Sequence, residues 1–310
     1  MNRKEECFMM RRKRILSVLM LLAIMLSSMT FSSYAVSSPY VKVSTYQNNA
    51  QAQQVLKLIN KQRTKRGLRK LTLDKELTDA AVKRAAEVSI YIPVTSPHKR
   101  PNGKNAHSVN KRVVSECCAE GYETPEDVMR GWMSSKMHKK QILLKNARSI
   151  GIGCITTDGV DTFWTLEISN TKVKKKLTSS KKVHANKKVY AKSEYLKKSY
   201  FSLRTKDEIN YYEEEDEEDP DVIIGEETRF YPYYSSKWNF NLKSCLSASD
   251  FKWTSGNTSV ATVDKNGVVT GMKEGSVKIT ATLKHAPGIK ITQWISVISQ
   301  DDYDSYDDWD

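Results

Sequence analysis

The chain has 310 residues, 39% hydrophobic and 28% charged, with a formal net charge of +14, a length that normally holds two domains. Its lysine blocks lack interleaved aromatics, so they read as counterions for phosphate or carboxylate rather than as base readers, and no nucleic acid partner is expected. No CxxC or Cys/His ligand spacing occurs among its cysteines, which argues against a structural zinc site.

In chain order, Met1 to Arg14 is basic, Ile15 to Met29 is a nearly unbroken apolar run, and Ser33-Tyr34-Ala35 ends in a small-residue cleavage pattern. Residues 1–35 therefore read as a secretory signal, and the mature chain as secreted and extracellular, with association to the cell surface left open. Residues 36–50 read as a spacer. Val55, Leu58 and Ile59 mark a first helix over Gln51 to Arg66, stopped by Gly67. Asp74 caps a second helix whose buried stripe is Leu77, Ala80, Ala81, Ala85 and Val88.

Pro93, Pro97, Pro101 and Gly103 break the following segment, which leaves His98 in a loop. Val113 to Glu116 reads as a short strand with Glu116 near its end. Thr124-Pro125-Glu126-Asp127 starts a third helix on which Val128 and Trp132 face the core together. Ser134-Ser135 weakens that helix, and His138 opens a further turn ending near Leu144. Ile150 to Ile155 and Phe163 to Ile168 form two strands joined by a tight Asp158-Gly159 turn.

The lysine-rich and then acidic stretch 171–220 reads as a flexible charged linker. A second folded unit spans 221–299, with an Asn266-Gly267 type I′ turn and Trp253 packed between sheets. An acidic tail covers 300–310. Cys7 leaves with the signal. Cys117, Cys118, Cys154 and Cys245 remain, and two readings stay open: a bridge such as Cys118 to Cys154, or small buried thiols. On a strand Cys117 and Cys118 point to opposite faces.

Five motifs in order give the stretch 51–170 a family likeness. They are Asn60, Arg63 and Gly67; His98, Arg100, Pro101 and Gly103; Glu116, Ala119 and Gly121; Trp132, Ser135, His138, Ile142 and Leu143; and Gly151 with Gly153. The stretch resembles the CAP superfamily (SCP domain: cysteine-rich secretory, antigen 5 and pathogenesis-related proteins), and residues 221–299 resemble a bacterial Ig-like domain of group 2. The resemblance implies an α+β chain: an α/β/α sandwich CAP domain followed by an Ig-like β-sandwich.

The CAP likeness gathers His98, Glu116 and His138 into a ligand cleft, with His98 and His138 as imidazole donors for zinc or another divalent metal. Members of the superfamily bind sterols, other lipids and protein partners, so the extracellular ligand is left open among lipid, glycan and protein. Weak contact with an anionic cell wall is a further expectation from the lysines. The family often places a second glutamate on the helix before the last histidine; Met129 to Ser135 holds no acid, so a four-residue set is incomplete. The alternative is a metal-dependent hydrolase or protease in which Glu116 takes the proton of a bound water. A structural hydrogen-bonding role for both histidines competes with each of these. Ser135 reads as a helix-end residue and His107 as an exposed loop residue.

Overall fold

A computed structural model describes residues 39–91, 98–157, 161–210, 220–236 and 242–304. The signal-like residues 1–35, the Asp158-Gly159 turn and the acidic run Glu213 to Asp219 lie outside the described residues. Strand β1 (Tyr40–Asn48) passes directly into helix α1 (Asn49–Thr64), where the Asn48 side chain accepts from the backbone N–H of Gln51 at 3.2 Å. β2 (Thr72–Leu73) leads to α2 (Lys75–Val88), capped by Asp74, which accepts from Leu77 N–H at 3.1 Å. After β3 (Ser115–Glu120), helix α3 (Pro125–Ser134) starts on Thr124 and α4 (Lys136–Ile142) on Ser135, each cap using its hydroxyl.

β4 (Ser149–Thr156), β5 (Thr162–Ser169) and β6 (Lys182–Tyr190) complete a sheet of order β3-β5-β4-β1-β6, with β2 parallel to β4 and the other pairs antiparallel. Alternation along these strands sends side chains to two cores. On one face Cys117, Ile150, Ile152, Leu166 and Ile168 meet Val55 and Ile59 of α1, Val128 and Trp132 of α3, and Ile142 of α4. On the other, Val41, Val43, Ile155 and Phe163 meet Val82, Ala85 and Ala86 of α2. This is the expected α/β/α sandwich.

Gly151 and Gly153 make the α2 contact. A Cβ on Gly151 would strike the carbonyl of Leu77, and one on Gly153 would lie 2.7 Å from the carbonyl oxygen of Ala81. The helix thus lies directly on the backbone of β4, and the Gly-x-Gly motif is a packing requirement.

The chain continues through β7 (Phe201–Arg204), α5 (Lys206–Asn210), β8 (Asp221–Ile223), β9 (Glu227–Arg229), β10 (Tyr231–Ser236) and β11 (Leu242–Cys245). β12 (Phe251–Ser255), β13 (Ala261–Val263), β14 (Val268–Gly271), β15 (Gly275–Leu283), β16 (Lys290–Ile298) and α6 (Gln300–Asp304) complete it. The strands form three sheets, β12-β15-β16-β8, β13-β14-β9 and β11-β10-β7. Trp253 is buried, as expected, and its Nε1 donates to the Ala248 carbonyl at 3.1 Å.

The two halves share one apolar core running from Ala85 and Ile90 through Leu196, Phe201 and Tyr234 to Ile279 and Ile295. Val43 bridges to Leu246, Ser247 N–H donates to the Lys42 carbonyl at 2.7 Å, and Ser244 Oγ donates to the Ser89 carbonyl at 3.0 Å.

Four expectations are corrected. The spacer 36–50 contains β1, a central strand. The presumed flexible linker is ordered up to Asn210, because Val189, Ala191, Leu196, Phe201 and Leu203 bury themselves between the halves while β6 pairs with all of β1. Glu116 sits at the start of β3 rather than its end, since pairing with β5 carries the strand on through Cys117 and Cys118. Asn266-Gly267 is not a type I′ turn, as Gly267 alone has positive φ there. Asp264 Oδ1 accepts from the N–H groups of Asn266 and Val268 at 2.7 and 2.9 Å and sets a longer hairpin loop.

Candidate functional site

The His98 loop is built by its own backbone. Gly103 N–H donates to the Arg100 carbonyl at 2.8 Å, with Pro101 at the second turn position, and Ala106 N–H donates to the His98 carbonyl at 2.8 Å. His98 itself has φ 61 and is the one non-glycine residue at positive φ among the described residues. Left-handed backbone is uncommon for a residue with a Cβ, although histidine tolerates it better than most.

That conformation sets Nδ1 of His98 2.7 Å from Oε1 of Glu116. Glu116 is fully buried, and Arg84 of α2 holds it by two bonds, Nε to Oε2 at 2.7 Å and a terminal nitrogen to Oε1 at 3.1 Å. Cys118, on the same face of β3, donates its thiol to Oε1 at 3.3 Å. Burial resists ionisation of Glu116. The hydrogen bond from His98 and the charge and bonds of Arg84 outweigh it and hold the carboxyl well below the usual range. An ionised carboxylate only accepts, so His98 carries a proton on Nδ1, and Nε2 is the ring nitrogen that Glu116 does not hold.

Behind this pair lies a chain of buried charge. Arg84 also donates to Glu87 at 2.8 Å, Arg100 clamps Glu87 through Nε and a terminal nitrogen, and Arg100 reaches Ser108 Oγ at 3.1 Å. Arg100, matched as a motif residue, thus ties the His98 loop to α2. Directly across the strand pair from Glu116 stands Glu167, also fully buried. Neither of its oxygens reaches full hydrogen-bond geometry with a described neighbour. Burial first, and then the negative charge of Glu116, push its carboxyl far up, so it stays protonated.

His138 lies on the first turn of α4, its N–H directed to Ser135 Oγ at 3.4 Å. Burial lowers its basicity, with the neighbouring His98 ring adding to the effect, and this favours the neutral imidazole. α4 is pinned from beneath by Arg63, which donates to the carbonyls of Ile142 and Leu144 at 2.8 and 3.0 Å. His107 is exposed on a short turn away from these groups.

Of the expected residues, His98 and Glu116 meet directly, and His138 does not join that contact. The tightest group of ligand atoms, all within 4.8 Å of one another, is instead His98, Glu116 and Cys118. It fits a metal poorly. Both Glu116 oxygens are committed to hydrogen bonds, and burial together with the charge of Glu116 keeps the Cys118 thiol protonated. Glu116 orients His98 from behind in a carboxylate–histidine arrangement, and no group of three ligand atoms among the described residues includes His138. Glu116 is poorly placed to accept a water proton: both its oxygens already accept hydrogen bonds, its basicity is suppressed and its side chain has no exposed surface.

Arg84, Glu87 and Glu167 were not singled out in the sequence. The legible signal was Arg84 and Glu87 interrupting the stripe of Ala81, Ala85 and Val88. Cys117, Cys118, Cys154 and Cys245 form no disulfide among the described residues, so the Cys118 to Cys154 bridge is not made.

The description of the cysteine-rich secretory protein family, CAP, matches residues 56–168, and that of the bacterial Ig-like domain, group 2, matches 243–292. The uncharacterized protein YkwD of Bacillus subtilis is 30% identical over 121 residues, 38% of this chain and 46% of YkwD, so the chain spans about half the length of that relative. Among solved structures, an outer surface protein of Borrelia burgdorferi is similar at 23% identity and TM-score 0.33, over 39% of this chain and 93% of that one. An extracellular SCP-domain protein of Bacillus anthracis is similar at 20% identity and TM-score 0.33, over 40% and 41% of the two chains. The chain therefore carries a CAP domain, which holds His98, Glu116 and His138, followed by a group 2 bacterial Ig-like domain.

Proposed function

We propose that the protein works outside the cell as a binding protein, its CAP cleft presenting the Nε2 lone pair of His98 together with the neutral imidazole of His138. The observation that carries this reading is the 2.7 Å contact between His98 Nδ1 and a buried Glu116 locked by Arg84. It fixes both the tautomer and the direction of the ring, as a recognition site requires. The ligand chemistry is a divalent cation such as zinc, or a small polar group that donates hydrogen bonds. An extracellular setting is supported by the signal-like residues 1–35.

The hydrolytic alternative, with Glu116 as base, is disfavoured by the burial and suppressed basicity of that carboxylate, and among the described residues around His98 and His138 no activated nucleophile is evident. Calorimetric titration of zinc into the wild type and into a His98→Ala/His138→Ala double variant tests the metal reading. Tight binding by the wild type and its loss in the variant are expected, and equal affinity removes the cation from the cleft. Turnover of a peptide or ester library that is abolished by Glu116→Gln would restore the hydrolase.

A further inference from the structure

The outer face of β1 and β6 is a surface of a different kind from the cleft. Register places Tyr40 opposite Tyr190, Lys42 opposite Lys188, Ser44 opposite Asn186, Tyr46 opposite His184 and Asn48 opposite Lys182. All ten lie on one side of the sheet, and Tyr46, Lys182, His184, Asn186 and Lys188 are exposed.

Of the three lysines that register places on this face, only Lys42 meets a carboxylate among the described residues. Residues 172–198 contain eleven lysines and one acid, Glu194. Among the described residues only two of those lysines meet a carboxylate, Lys174 at Glu76 and Lys192 at Glu194. Like charges directly across a strand pair repel. Lys42 is relieved by buried Asp250 at 2.6 Å, and Lys188 rests 3.8 Å over the Tyr40 ring, but Lys181 and Lys182 have no such relief. Lys182 and Lys188 thus stand without a carboxylate partner among the described residues and are open to an anion.

Midway along the strip stands a prepared stacking surface. The Tyr46 ring is 47% exposed and lies against His184 with centroids 4.6 Å apart, and Ser44 Oγ fixes the imidazole at 3.0 Å from Nε2. A ring pair of this kind takes the C–H face of a sugar, and exposed Asn186 beside it can bond hydroxyls. Lys182 and Lys188 lie six residues apart, about 20 Å along an extended strand. Each is a compact point charge suited to phosphate. Such wide spacing suits a polymer whose phosphates are separated by sugars; a nucleic acid strand carries a charge every ~3.4 Å and would leave most of them unmet.

We propose that the β1–β6 face binds a linear phosphate-bearing glycan, with phosphates at Lys182 and Lys188 and a sugar ring on Tyr46 and His184. The test titrates the full chain with sugar-substituted poly(glycerol phosphate). Bare poly(glycerol phosphate), neutral dextran, single-stranded DNA and anionic lipid vesicles serve as comparison arms. Lys182→Gln/Lys188→Gln is expected to weaken binding about tenfold and to reduce the salt slope by about two. Tyr46→Ala is expected to weaken binding of the sugar-substituted polymer and leave the bare polymer unchanged. Because Lys188 touches Tyr40, Lys181→Gln/Lys182→Gln provides a second pair that leaves this ring contact intact, and it too is expected to weaken binding. His98→Ala is expected to bind the polymer as the wild type does, which separates this face from the cleft. Unchanged binding in both lysine variants, no effect of Tyr46→Ala, or tighter binding to DNA or vesicles would overturn the proposal.

Discussion

His98 and Glu116 are joined at 2.7 Å, and of the two only the imidazole reaches solvent, with 26% of its side chain exposed against none of the carboxylate. The acid is a fixture and the ring is the accessible member of the pair. Replacing the acid therefore acts first on stability. Glu116→Gln leaves fully buried Arg84 with only Glu87, which Arg100 also claims, and breaking a buried pair costs up to about 3–5 kcal/mol. Urea unfolding should show a lower midpoint with an unchanged slope. The folded-state value of Glu116 is depressed, so its contribution is complete above about pH 4.3 and fades as pH falls toward the folded value.

Two other carboxyls have the opposite sign. Burial, and then the charge of Asp161, push Glu120 up to about 7, and burial with the charge of Glu116 raises Glu167 well above its ordinary value. Each keeps its proton in the fold after the unfolded chain has lost it, so stability falls as pH rises above about 4.3, through about 7 for Glu120, and Glu167 adds to the same fall. Glu167→Gln is expected to stabilise the protein at pH 7, with a gain that shrinks toward pH 4. Glu120→Gln should flatten the loss between pH 4.3 and 7. Thermal melts across this range check both, and a Glu167→Gln protein less stable at pH 7 would show that the acid is ionised.

The layers, the caps at Asp74, Thr124 and Ser135, and the meeting of His98 with Glu116 were legible because each has a local signature: periodicity, a hydroxyl or carboxylate before a helix, a motif. Arg84, Glu87 and Glu167 were hidden, since partners for buried charges come from another helix or the neighbouring strand and leave no mark at fixed spacing. The same holds for β6. Its lysines resemble a solvated linker until β1 provides a partner for its backbone.

Gly151→Ala should be among the most damaging small changes. The added methyl meets the Leu77 carbonyl, and α2 must lift off β4 to admit it. Overpacking of this kind costs roughly 1–3 kcal/mol or more. Because α2 carries Arg84, zinc binding in calorimetry should weaken together with the melting temperature.

The short helix under His138 depends on both its ends. Ser135→Ala removes the hydroxyl at its start and should cost about 1 kcal/mol. Arg63→Ala frees the carbonyls of Ile142 and Leu144 at its end. Hydrogen exchange should accelerate at residues 138–143 in both variants, while amides of β5 keep their protection; uniform acceleration would mean global loss instead.

Since Val43, Phe201 and Tyr234 belong to a single apolar continuum reaching from α2 to β16, the two recognisable modules are welded rather than strung together. Whatever seizes the Ig-like portion thereby aims the imidazoles, as turning a grip turns the tool fixed to it.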